Sequence, residues 1–343
     1  MKKLFLSILL IVLLITSIFA LTGCNPENCD HKFEGDNCKR CHVTSDNCFE
    51  FTLLDNDTYA IKVSKFRTYN MPSEVKIPSK YNDKPVTTIA FRGFTGCKSI
   101  VKVELPKTIT YLESYAFSSC TSLEEIKLSK NITFIGGQAF YNCTSLKEIS
   151  IPKSVETIGM GAFEKCTSLA KFTVPNTVTA LGDGAFQSCT GLKSVELGDG
   201  ITTIGVYTFK GCTSLTDVNF GKNISTINSA AFSGCTSLKN IKIPKTVTSI
   251  SNSVFSGCTS LEKITLPDGI TGIKAYTFNE CSSLESIVIP GSVAYIEDNA
   301  FKGCTKLNNV YYGGSEENWN RITLFAIDIG LKSSAIIHYN YSK

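Results

Sequence analysis

Fifteen cysteines and three histidines carry most of the reactive chemistry available to this 343-residue chain, and spacing divides the cysteines into three groups. Cys24 stands alone after a long apolar run, in the tetrapeptide Leu21-Thr22-Gly23-Cys24. Cys29 and His31 lie seven residues ahead of the pair Cys38 and Cys41. A C-x-H with a C-x-x-C supplies four ligands, the number a closed tetrahedral zinc site needs. The same segment also permits two disulfides among Cys29, Cys38, Cys41 and Cys48, in three pairings. Both readings stay open, and in both the cluster is structural, tying down a segment too short for its own core. The third group is Cys97, Cys120, Cys143, Cys166, Cys189, Cys212, Cys235, Cys258, Cys281 and Cys304, each 23 residues from the next.

An unbroken period over ten copies is the signature of a repeat protein. Counted from each cysteine, Phe occupies minus three in every copy, Phe94 to Phe301, and Leu or Ile occupies plus three. Apolar residues recur at plus six (Ile126, Ile149, Phe172) and plus eight (Leu128, Ile151, Val174), and again at plus twelve and plus fifteen. The plus-six and plus-eight pair has the two-residue period of a strand, and Pro at plus nine, as at Pro152 and Pro244, ends it. One unit cannot bury its apolar side alone, but stacked units bury a continuous core, at roughly 1.5–3 kcal/mol per large side chain. Thiols one turn apart would have parallel Cβ vectors about 4.8 Å apart, whereas a disulfide needs them about 3.8 Å apart and converging. The ten cysteines are therefore expected to be buried free thiols giving a weak hydrogen bond to a turn carbonyl.

The stretch Cys143–Phe163, CTSLKEISIPKSVETIGMGAF, resembles the BspA-type leucine-rich repeat, and all ten copies match its apolar frame. Departures fall at turns: Ser129, Gly198 and Gly221 replace Pro at plus nine, and Asn228, Ser251, Lys274 and Glu297 replace Gly at plus sixteen. The expected fold is a leucine-rich-repeat solenoid of the α/β class, mostly β. It has ten 23-residue turns over residues 72–310, one parallel sheet on the inner face, and caps at both ends. Members of that family are mostly surface or secreted proteins implicated in adhesion, and the resemblance implies the same here.

Residues 1–23 read as an export signal: Lys2 and Lys3, an apolar run from Leu4 to Leu21, then small residues. LTGC is similar to the bacterial lipobox, which implies a mature chain beginning at a lipidated Cys24 and anchored through acyl chains. The Cys29/His31/Cys38/Cys41 spacing is likewise similar to knuckles near the start of some bacterial surface lipoproteins. Residues 24–48 form the Cys-rich linker; 49–71 alternate around Asp55-Asn56-Asp57 as a capping hairpin. Five extra residues around Tyr81 to Pro85 loop out of the first imperfect repeat. Residues 311–343 break the period and resemble a C-terminal cap, with Trp319 plugging the last turn.

No catalytic constellation emerges. Between Cys97 and Val310 there is no histidine, so no Ser-His or Cys-His pair forms there, and the four-ligand cluster leaves no open metal position. The mature chain carries 32 basic against 30 acidic residues, a net +2, which predicts no nucleic-acid partner. What remains is a binding surface in the outward rows at plus five and plus seven. Glu104, Lys127, Glu196 and Lys242 mark the polar length of the plus-seven row, and Val288, Tyr311 and Tyr312 gather at its C-terminal corner. Mixed signs and small polar side chains point to an extracellular protein or glycan partner met by a monomer through many weak contacts. A structural spacer or envelope scaffold without a dedicated ligand is the alternative.

Overall fold

The computed structural model describes residues 33–34, 37–38, 48–64, 71–324, 331 and 335–342. The chain coils into a parallel β-solenoid of about 12 turns of about 23 residues, two more than the cysteine period alone counts. The extra rungs come from residues that keep the strand but not the spacing. Glu74–Lys76 pairs with Lys102–Glu104 at an offset of 28 residues, and Asn309–Tyr312 pairs with Ile336–His338 at 27.

Most turns contribute a strand to a first parallel ladder at plus five to plus seven, interrupted between Glu148 and Lys171 and between Asn219 and Asn240, in which Glu125 pairs with Lys102, Ser194 with Asp217 and Ser286 with Asn309. The plus-six residue turns inward (Val103 and Ile287 are fully buried) while its neighbours turn outward, as pleating requires. A single sheet was expected, but the strands run in two columns, each broken into several sheets. A second parallel ladder runs through plus fourteen and plus fifteen, from Lys84–Ile89 through Tyr111–Leu112 and Phe134–Ile135 to Ala180–Leu181, and resumes in later turns. Its strands are two residues long in most turns, too short to show an alternating pattern in the sequence.

A tight arc closes each turn around the minus-three Phe. Its minus-one residue is left-handed from Gly96 to Gly303: five are glycine, and Ser119, Asn142, Lys165, Ser188 and Glu280 adopt φ between 57° and 61°. The arcs also bond rung to rung, as in Phe117 N–H to the Ala139 carbonyl at 2.7 Å. The ten Phe rings are fully buried and stack at 5.0–5.8 Å between centroids, from Phe94 on Phe117 to Phe278 on Phe301.

At the first end, Phe49–Leu53 and Tyr59–Val63 form an antiparallel hairpin whose second strand joins the second ladder beside Lys84–Ile89. The five-residue excursion is itself a small hairpin, Lys80–Tyr81 against Lys84–Pro85. Its tip residues Asn82 and Asp83 both have positive φ, the conformation a two-residue type I′ turn needs. Tyr81 stacks on Phe51 at 3.9 Å. At the other end a short helix, Glu316–Asn320, is capped by the Ser315 side chain, and Trp319 packs edge-on against Tyr312 at 5.1 Å.

Candidate functional site: the outward face of the first ladder

The described repeat cysteines are all free and buried. From Cys120 to Cys304 each thiol donates to the carbonyl of the Phe 26 residues earlier, at 3.0–3.2 Å. Burial pushes the Cys97, Cys143, Cys189 and Cys258 thiols up to about 12, so none is a thiolate nucleophile near neutral pH.

The expected structural zinc is corrected. Among the described residues no group of three or more His, Cys, Asp or Glu side chains could hold a metal ion. The described thiols are instead the repeat cysteines and Cys48, all of them buried. Cys29, His31 and Cys41 lie outside the described residues, and Cys38 is described only as backbone, paired with Phe33 in a two-residue strand. Cys24, the expected lipidation site, also lies outside them. No helix among the described residues is long and apolar enough to cross a membrane.

The outward face of the first ladder divides by how it uses charge. In the early turns adjacent rungs answer one another: Lys127 Nζ meets Glu104 Oε1 at 2.9 Å, Lys102 meets Glu125 at 3.0 Å, and Lys147 meets Glu124 at 2.6 Å. The Lys127 hydrogen bond holds the Glu104 carboxyl below the usual carboxylate range. Further along, Glu196 accepts from the Thr173 hydroxyl at 3.3 Å. Lys242, exposed, has Asn219 and Thr265 at the same position of the adjacent turns, and neither is an acid.

Beyond Lys242 the face sinks into a half-open trough of about 1190 Å³, lined by Lys242, Lys263, Val288, Tyr311, Tyr341 and their neighbours. Tyr311 is half-buried; its ring lies against His338 at 4.6 Å, nearly parallel, and against Tyr341 at 4.9 Å. His338 is fixed in turn by a 2.9 Å hydrogen bond with Asn309. Tyr312 does not join them: at plus eight it faces inward, 1% exposed under Trp319, and offers no contact surface. The row reading also passed over Lys245 and Tyr341, which line the trough from outside the strand. The signal for Lys245 was its place directly after Pro244, where the turn carries it back toward the face.

This is the architecture of a leucine-rich-repeat solenoid, a fold and family that are typically non-enzymatic and that generally bind proteins or other ligands. The chain belongs to the BspA type Leucine rich repeat family, which it matches in six copies over residues 60–193 and 181–308. Among solved structures it is similar to the T. pallidum leucine-rich-repeat protein TpLRR, at 29% identity and a TM-score of 0.51, over 62% of this chain and 88% of that one. It also resembles a leucine-rich-repeat protein from Bacteroides ovatus, at 22% identity and a TM-score of 0.57, over 85% of this chain and 98% of the other. No curated protein matches the sequence.

Proposed function

We propose that this chain is a bacterial cell-surface recognition protein, exported, lipidated at Cys24, and acting as a monomer that binds an extracellular protein or glycan through the outward face of the first ladder. The observation that carries the reading is the contrast within each strand. The inward position is held apolar in turn after turn, while outward residues vary freely and converge, around Val288 and Tyr311, on a concave trough. Concavity with a few fixed polar groups and an aromatic anchor is what binding sites share. The leader and the LTGC sequence support the anchor.

The test displays the protein against arrays of extracellular-matrix proteins, glycans and envelope fractions. A variant with Glu196, Lys242, Val288 and Tyr311 all changed to Ala serves as control. Saturable binding lost in that variant supports recognition; binding unchanged in it refutes the face, and no binding at all favours a scaffold. Labelling of cells with radioactive palmitate, present in the native chain and lost in Cys24→Ala, tests the anchor separately.

A further inference from the structure

The trough gathers three lysines that enter no ion pair among the described residues. Lys242, Lys245 and Lys263 line it against one carboxylate, Asp268, which already has an interaction partner of its own. None of the three lysines enters an ion pair among the described residues, whereas Lys102, Lys127 and Lys147 on the same face all do. The reason lies in the rungs. Lys263 pairs laterally with Asn240 on one side and Ser286 on the other, neither of which is an acid. Lys242 sits two residues beyond Asn240, so Lys242 and Lys263 are diagonal neighbours with Cα atoms roughly 8 Å apart. Such a group of like charges around one concavity raises the local concentration of anions.

The occupant must meet three further conditions. Lys263–Thr265 and Ser286–Ile289 are each paired with the rungs on both sides, so across the middle of the trough an extended peptide finds no free edge to pair with. The cations are all lysines, point charges on flexible stems, suited to anionic groups strung at intervals rather than to one bidentate carboxylate. Finally, Tyr311 is flanked in its row by the His338 ring, and the hydroxyl- and amide-bearing residues Thr265, Ser286 and Asn240 line the trough. An aromatic face attracts the electropositive C–H side of an alicyclic ring, and hydroxyls bond in kind. At about 1190 Å³ and open to solvent, the trough takes several rings of a chain rather than one.

We propose that the trough binds an acidic saccharide, a chain bearing carboxylates or sulfates, with Lys242, Lys245 and Lys263 holding the anionic groups and Tyr311 packing on a sugar ring. This rests on the reading of the first-ladder face as a recognition surface.

The test is titration calorimetry of the whole folded protein with four probes: a galacturonate hexasaccharide, a heparin hexasaccharide, neutral maltohexaose and hexaglutamate. The two acidic saccharides are expected to bind, and which is tighter separates carboxylate from sulfate. Lys242→Gln/Lys263→Gln is expected to lose about tenfold in affinity, as is the native protein on raising salt from about 0.05 to 0.5 M. Lys102→Gln/Lys147→Gln, already neutralised internally, is expected to change nothing, and Tyr311→Ala, checked for an unchanged melt, to weaken both saccharides. Maltohexaose binding as well as the acidic sugars, or lysine variants binding like the native protein, overturns the proposal. Hexaglutamate binding equally well replaces the saccharide by an acidic peptide. If no probe binds but an array protein does, in a manner lost with Tyr311→Ala, the saccharide fails and the recognition reading survives. If nothing binds, both fail.

Discussion

The interior column of Phe and Cys and the outward rows of the first ladder are written by the same 23-residue repeat and obey opposite rules. Inside, every position has one occupant: ten Phe rings, all fully buried, stacked on one another and flanked by a column of thiols. Outside, the plus-seven row passes from Glu104 through Thr173 and Val288 to Tyr311. The difference teaches where the fold is specified and where it is free. A solenoid turn touches only its neighbours, so an interior misfit interrupts the whole stack while an outward change stays local.

The largest expected effect follows from breaking the interior. Phe209 is sandwiched between Phe186 at 5.5 Å and Phe232 at 5.3 Å. Truncating such a ring costs about 3–5 kcal/mol, and Phe209→Asp adds the burial of a carboxylate with no partner. We expect it to unravel the middle of the stack, seen as loss of the cooperative melt and new protease cleavage there. Lys193→Ala, an exposed change in the preceding turn, is expected to leave the melt unchanged; equal behaviour of the two would refute the 23-residue register.

The thiol column gives a second, pH-dependent break. Burial raises the Cys97, Cys143, Cys189 and Cys258 thiols to about 12, while in the unfolded chain a thiol titrates near 8.5. Between those values the unfolded state has lost protons that the folded state keeps. Stability is therefore full below about pH 8.5 and falls as pH rises toward 12, by about 1.4 kcal/mol per pH unit for each thiol. Denaturant midpoints measured from pH 7 to 11 check the sign. Ellman's reagent at pH 8 is expected to find the repeat thiols unreactive until denaturant is added; rapid labelling in native buffer would place them outside the core.

Much of this comparison was legible in the sequence, and the gaps have physical causes. Phe, Cys and the plus-six and plus-eight residues announced themselves because burial tolerates few substitutes. The second ladder did not. Its outward position at plus fourteen is Tyr111, Thr157 or Gly272, and two residues are too few to display a strand's alternation. The last rung was missed because Ile336–His338 keeps the pairing but not the period, whereas the first, Glu74–Lys76, lies in the segment read as an imperfect repeat. Tyr312 was placed outside because it adjoins Tyr311, although plus eight is an inward position in every turn. The charge rows looked evenly mixed because they were read as a whole. What decides neutralisation is the sign one rung away, opposite at Glu104 and Lys127 and absent around Lys242.

That last distinction yields the smallest effect and sharpens the outward half of the comparison. The Glu104–Lys127 pair lies at 2.9 Å with both side chains largely in solvent, where such pairs contribute little and salt screens them. A double-mutant cycle of Glu104→Ala and Lys127→Ala is expected to give a small favourable coupling at low salt, fading toward zero near 1 M. The same cycle on Lys242 and Thr265, in adjacent turns without opposite charge, is expected to give none. A coupling at the early rungs alone means the early half of the face spends its charges on itself. Equal couplings at both ends would mean that the two halves are electrostatically alike, and that the lysines of the trough are no more available to a ligand than those near Glu104.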